Sequence, residues 1–172
     1  MAAGVRTFLE LPLFLVILGA GCLLSVVLAG PVSRRWQQPW IVVCGLGASL
    51  SLVFAATLTP APGGLTGPCL RPIVRPLGRG LLVFTDDRAL NTWMLVPLGF
   101  FAGYLAVRQW WVLILAFTVP FLVEGIQRFV PQLDRRCQFQ DLVDNTWGLI
   151  LGAVVGVIVG ALVHGVGRVV RR

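Results

Sequence analysis

Long apolar runs alternate with short polar ones along the whole chain. Residues 8–30, 39–59, 91–107, 110–130 and 144–166 are each long enough, or nearly so, to cross about 30 Å of hydrocarbon at about 1.5 Å per residue. This pattern predicts an all-α fold: a polytopic membrane protein, a bundle of five transmembrane helices forming one membrane domain over residues 1–172. Composition agrees, with 57% hydrophobic residues and a mean hydropathy of +0.87. A soluble domain of this size needs far less apolar surface. The first run resembles a signal segment around Gly19-Ala20-Gly21-Cys22, but it stays apolar to Gly30. A retained span is therefore expected.

The informative departures from this pattern fall between residues 120 and 160. The uninterrupted non-ionic part of the fourth run, Trp110 to Val123, gives only about 21 Å of helix. Glu124 and Gln127 must then enter the bilayer and face protein or water, unless the membrane thins there. Insertion scales penalise such groups by roughly 3 kcal/mol each, so a chain that keeps them hides or uses them. Glu124, Gln127 and Arg128 are spaced i, i+3, i+4 and should share a helix face, as should Asp141, Asp144 and Asn145. Pro120, one turn before Glu124, frees the carbonyl of Ala116 and permits a kink there.

Five spans put the chain ends on opposite sides. On the N-terminal side, side A, lie the 60–90 and 128–143 loops and all seven acidic residues. Side B holds the 31–38 loop, the turn at Arg108 and the C-terminal tail. Asn91, Glu124, Gln127, Arg128, Asp141, Asp144 and Asn145 all fall towards side A, with Asp86, Asp87 and Arg88 just before Asn91. All fourteen basic residues are Arg. Side B carries its Arg tight against span ends, which favours side B as cytoplasmic and side A, with the N-terminus, as external at the cell membrane. The Arg sit between apolar spans, so lipid headgroups and orientation account for them and nucleic acid is not an expected partner.

Gly148, Gly152, Gly156 and Gly160 recur every four residues in the fifth run, and Gly99 and Gly103 do so in the third. Small residues at this spacing let helices approach closely in lipid. The third and fifth spans are expected to pack together and set Asn91 beside Asp144 and Asn145; a homodimer is the alternative use of the same glycines. Cys22 and Cys44 lie within spans as small apolar residues. Cys69 and Cys137 both lie in side A loops and could form a disulfide if side A is external; free thiols are the alternative. His164, near side B, reads as interfacial. No CxxC or His/Cys cluster calls for a metal, and no cofactor is implied.

Asn91 followed by Pro97-Leu98-Gly99-Phe100, then Glu124-x-x-Gln127, an Arg-containing loop, and Asp141-Leu142-Val143-x-Asn145-Thr146-x-Gly148 together resemble the VanZ-like family of bacterial membrane proteins. The resemblance covers residues 86–160. It departs from the family pattern at Arg135-Arg136-Cys137-Gln138-Phe139-Gln140, where either Arg135 or Arg136 matches the family's Arg. The resemblance implies a link to resistance against the glycopeptide teicoplanin.

Three functional readings follow. In the first, a non-enzymatic protein binds an envelope lipid, a lipid-linked cell-wall precursor or a glycopeptide headgroup on side A. Arg128, Arg135 and Arg136 would meet phosphate or carboxylate, and Glu124, Gln127, Asp141 and Asn145 would bond sugar or peptide groups. In the second, paired carboxylates act as acid and base on a lipid-linked substrate, with or without a divalent cation on Asp86, Asp87, Asp141 and Asp144. The third is a small transporter or flippase using buried carboxylates as proton carriers. Against all three stands simple capping of helix ends by acids and snorkelling Arg.

Overall fold

The computed structural model describes residues 12–60, 69, 87–135 and 137–169. The described chain forms α1 (Pro12–Trp36), α2 (Trp40–Leu58), α3 (Asp87–Ala106), α4 (Trp110–Phe129), a single 3-10 turn (Pro131–Leu133) and α5 (Phe139–Val169). Each of the five α-helices is long and apolar enough to cross a membrane. The protein is an all-α polytopic membrane protein.

The helix bounds differ from the hydropathy bounds in an instructive way. α1 runs on through Pro31 to Trp36, so the expected 31–38 loop shrinks to a turn. Pro31 lacks an N–H and leaves the Val27 carbonyl without its usual bond, which a membrane helix tolerates. The helix ends where Gln37 takes φ 53. The Gln38 N–H then reaches back to the Ser33 carbonyl at 3.1 Å, the six-to-one bond of a Schellman cap. The Gln37 side chain donates to the Arg34 carbonyl at 2.7 Å and satisfies another terminal acceptor. α3 starts at Asp87 rather than Asn91, and α5 at Phe139 rather than Asp144. Apolarity marks where a helix can sit in hydrocarbon. Hydrogen bonding lets the same helix continue into its polar flank.

α3 is the central helix and α1 the peripheral one. The most extensive helix pair is α3 with α5, followed by α1 with α2. A Cβ added at Gly148, Gly152 or Gly156 would overlap the carbonyl oxygens of Thr92, Val96 and Phe100 respectively. From the other side, one added at Gly99 or Gly103 would overlap the carbonyls of Leu149 and Ala153, and Gly160 faces the Tyr104 backbone. Backbone therefore lies on backbone along the whole interface, which only small residues permit. The α1–α2 pair repeats the device: Gly21 abuts Ser51 and Gly47 abuts Ser25. These two serines bond into their own helices, Ser25 Oγ to the Gly21 carbonyl at 2.7 Å and Ser51 Oγ to the Gly47 carbonyl at 2.8 Å.

On side B the two turns clasp each other. Gln109 Nε2 donates to the Trp36 carbonyl at 3.0 Å, and Gln38 Nε2 donates to Gln109 Oε1 at 3.1 Å. The rings of Trp36 and Trp111 meet edge-on at 5.2 Å. His164 stacks edge-on with Tyr104 at 5.5 Å, an interhelical packing contact close to side B. The clasp ties the α1–α2 turn to the α3–α4 turn. That leaves the opposite ends of α3, α4 and α5 to gather on side A.

Candidate functional site

The early start of α3 places Arg88 on the helix, one turn before Thr92, whose hydroxyl donates to the Arg88 carbonyl at 3.0 Å. Close approach of α3 and α5 brings its guanidinium against Asp144. Arg88 Nε donates to Asp144 Oδ2 at 2.8 Å and Arg88 Nη2 to Oδ1 at 2.9 Å. This is the planar two-point match that Arg makes with a carboxylate. Gln140 Nε2, one turn earlier on α5, adds a third donor to Asp144 Oδ1 at 3.0 Å. Asp144 is only 1% exposed, so its charge is held by three N–H groups rather than by water.

α4 supplies a second carboxylate. Glu124 is 7% exposed, and its Oε2 accepts the backbone N–H of Gln138 at 2.9 Å. Gln138 opens α5: its carbonyl accepts the amides of Asp141 at 3.1 Å and Leu142 at 3.3 Å. Glu124 therefore sits against the positive end of the α5 dipole, where an anion is favoured. Its other oxygen, Oε1, is buried without a hydrogen-bond partner. The same holds for Oδ1 of Asn145 on α5, a residue 2% exposed. Buried acceptors in this condition are uncommon and costly. Gln127, one turn beyond Glu124, is buried too.

A third strand of contacts comes from the loop between α4 and α5. Arg135 Nε donates to the Thr59 carbonyl at the end of α2, 3.2 Å away. Burial pushes the Arg135 guanidinium below its ordinary value, and the Asp141 charge pulls it back up. Beside it, Cys137 is joined to Cys69 by a disulfide across 68 residues of sequence. The crosslink joins Cys69 to the residue directly before Gln138, whose N–H bonds Glu124.

Most of the sequence-derived candidates are thus brought together: Glu124, Gln127, Asp144 and Asn145 are buried, and Asn91, Arg135 and Asp141 are half-buried around them. Arg128 is not. It is exposed on α4, with its guanidinium 5.7 Å from the ring centroid of the exposed Phe129. It shares a helix face with Glu124, but its long side chain lies near the end of α4 and turns outward. Arg136 lies outside the described residues, as do Asp86 and the Asp87 side chain. Among the described residues no group of three or more His, Cys, Asp or Glu is placed to hold a metal ion. Sequence reasoning left out Arg88 and Gln140 as members of the site. The signal was present, since Arg88 lies three residues before Asn91 and Gln140 four before Asp144, each on the helix face of its neighbour.

A family model described as VanZ/LLP1 matches residues 71–160, just over half of the chain. That range holds α3, α4, the disulfide cysteine Cys137 and the part of α5 that carries the polar turn and the glycine stripe. No curated protein and no solved structure matches the chain.

Proposed function

Because the chain belongs to the VanZ-like family, VanZ/LLP1, we propose that it binds the polar headgroup of an envelope lipid, lipid-linked cell-wall precursor or glycopeptide on side A, without chemical turnover. The observation that carries this reading is the convergence of buried and half-buried polar groups from three spans on one end of the bundle: Arg88 and Asn91 from α3, Glu124 and Gln127 from α4, Gln140, Asp144 and Asn145 from α5. Simple end-capping accounts for Asp141 at the start of α5. It accounts poorly for Glu124, which lies about 8 Å of helix rise inside the end of α4 and is almost wholly buried. Buried ionisable groups in a span usually line a ligand or ion path.

Two features support an outward-facing side A. The Cys69–Cys137 disulfide lies there, and structural disulfides persist in oxidising compartments. Arg34, Arg35 and Arg108 cluster at the opposite ends of α1 and α3, as expected for the cytoplasmic side. A headgroup on side A would then meet the cell wall, the compartment in which a glycopeptide acts.

Site-specific photocrosslinking tests the reading. A photoreactive residue in place of Asn91 should capture a headgroup-labelled envelope lipid. One in place of Ile114, exposed on α4 one turn from its side B end, should not. Equal capture at both positions would remove the headgroup site.

A further inference from the structure

The chemistry of the side A cluster points to one kind of headgroup. Its described cations make contacts within the protein. Arg88 gives two N–H groups to Asp144, Arg135 bonds the Thr59 carbonyl and feels the Asp141 charge, and Arg128 faces outward over Phe129. Two acceptors are left over. Glu124 Oε1 and Asn145 Oδ1 are both buried without a hydrogen-bond partner. The charges tell the same story. Among the described side A residues, Glu124, Asp141 and Asp144 are buried or half-buried carboxylates, against Arg88 and Arg135 as buried or half-buried cations. Arg88 is paired with Asp144 and Arg135 feels the Asp141 charge, while among the described residues no cation pairs with Glu124.

We infer that this cluster takes a primary ammonium group, with Glu124 supplying the countercharge and Asn145 an acceptor for the same headgroup. The inference rests on the headgroup-binding reading above and names its ligand class. A phosphate or carboxylate would bring a second anion beside Glu124 in a low-dielectric setting. A sugar hydroxyl would satisfy an acceptor and leave the charge uncompensated. An ammonium does both, since it carries three N–H donors and one positive charge. A quaternary ammonium carries the charge without the donors. Glu124 is suited to this role because its other oxygen is fixed by the Gln138 N–H, which holds the carboxylate plane and directs Oε1. Such an ammonium is carried by aminated lipid headgroups and by free amines of cell-wall peptides or amino sugars.

The test titrates purified protein in detergent with phosphatidylethanolamine, phosphatidylcholine and phosphatidylglycerol of identical acyl chains, and counts lipid-bound species by native mass spectrometry. Soluble ethanolamine is the competing arm. Phosphatidylethanolamine should be retained about tenfold over phosphatidylcholine, the selectivity of one charge-assisted hydrogen bond set. Glu124→Gln, which keeps the shape and the Gln138 bond, should abolish that preference, while Arg128→Gln should leave it intact. Competition by ethanolamine identifies the amine itself as the ligand; retention unaffected by ethanolamine ties recognition to the lipid-borne headgroup, and both support the inference. Equal retention of ethanolamine and choline lipids, or preference for phosphatidylglycerol, overturns the ammonium assignment and leaves headgroup binding standing. No difference among the three lipids, combined with failure of crosslinking at position 91, overturns both.

Discussion

Arg88 and Asp144 meet in a two-point ion pair across α3 and α5, at 2.8 and 2.9 Å, directly above the first glycine contact, Gly148 on the Thr92 backbone. The pair and the contact depend on each other. Without the glycine, α5 could not come close enough for a guanidinium on α3 to reach it. Without the pair, the close approach would bury Asp144 with only Gln140 to bond it.

Removing one partner should therefore cost more than removing both. Arg88→Leu leaves a buried carboxylate poorly compensated, and a loss of about 3 kcal/mol is expected. Arg88 is 28% exposed, so the loss should fall towards the lower end of what buried pairs show. The double variant Arg88→Leu/Asp144→Leu should recover part of it. Unfolding in mixed micelles measures both. A double variant whose loss equals the sum of the two single losses would mean that the residues are not coupled.

At the glycine stripe the expected effect is steric. Gly152→Leu places a side chain where the Val96 carbonyl lies and should separate α3 from α5, reducing the monodisperse folded fraction severely. Val154→Leu, two residues on at a lipid-facing position, should be tolerated within about 0.5 kcal/mol. Size-exclusion profiles and melting temperatures in the same detergent decide it. Equal behaviour of the two variants would show that the glycines are not the packing face.

The parts legible in the sequence were those set by periodicity. Five apolar runs gave the five helices, and the four-residue glycine repeat pointed to the α3–α5 interface. The site was legible as a set of positions near side A, because an acid inside a short apolar run has few physical explanations. Its wiring was not. Arg88 reads as loop charge unless the helix is known to begin at Asp87, and hydropathy cannot show that start because the flank is polar. Arg128 misled for the opposite reason. Helix spacing placed it with Glu124, but a long cationic side chain near a helix end can turn outward, where water or headgroups solvate it at little cost. The excess of acceptors at Glu124 and Asn145 is a property of three-dimensional pairing and has no one-dimensional trace.

The disulfide makes a separable prediction. Cys69→Ser should abolish the mobility shift that reduction produces in the wild type. It should also lower stability by at most about 4 kcal/mol, the loop-closure value for a crosslink of this length; the sequence separation is 68 residues. Helices held in a bilayer restrict the unfolded chain, so a smaller loss is expected. On intact cells, an impermeant thiol reagent should label the pair only after reduction. Labelling that requires permeabilised cells would place side A in the cytoplasm and remove the outward-facing reading.

Glu124 allows its structural and binding roles to be told apart, because its two oxygens have different duties. Glu124→Ala deletes the acceptor for the Gln138 N–H at the opening turn of α5. An unsatisfied buried donor there should cost about 1–3 kcal/mol, read as a lower melting temperature. Glu124→Gln keeps a carbonyl oxygen that can take the same bond and should fold close to wild type. If Glu124 serves only as a cap, the Gln variant retains full function and the Ala variant loses function in proportion to its folded fraction. If Oε1 holds a ligand cation, the Gln variant is stable yet loses headgroup capture as completely as the Ala variant does. Capture measured per folded molecule separates these outcomes, since a loss confined to the unfolded fraction disappears on normalisation and a loss of the anionic anchor does not.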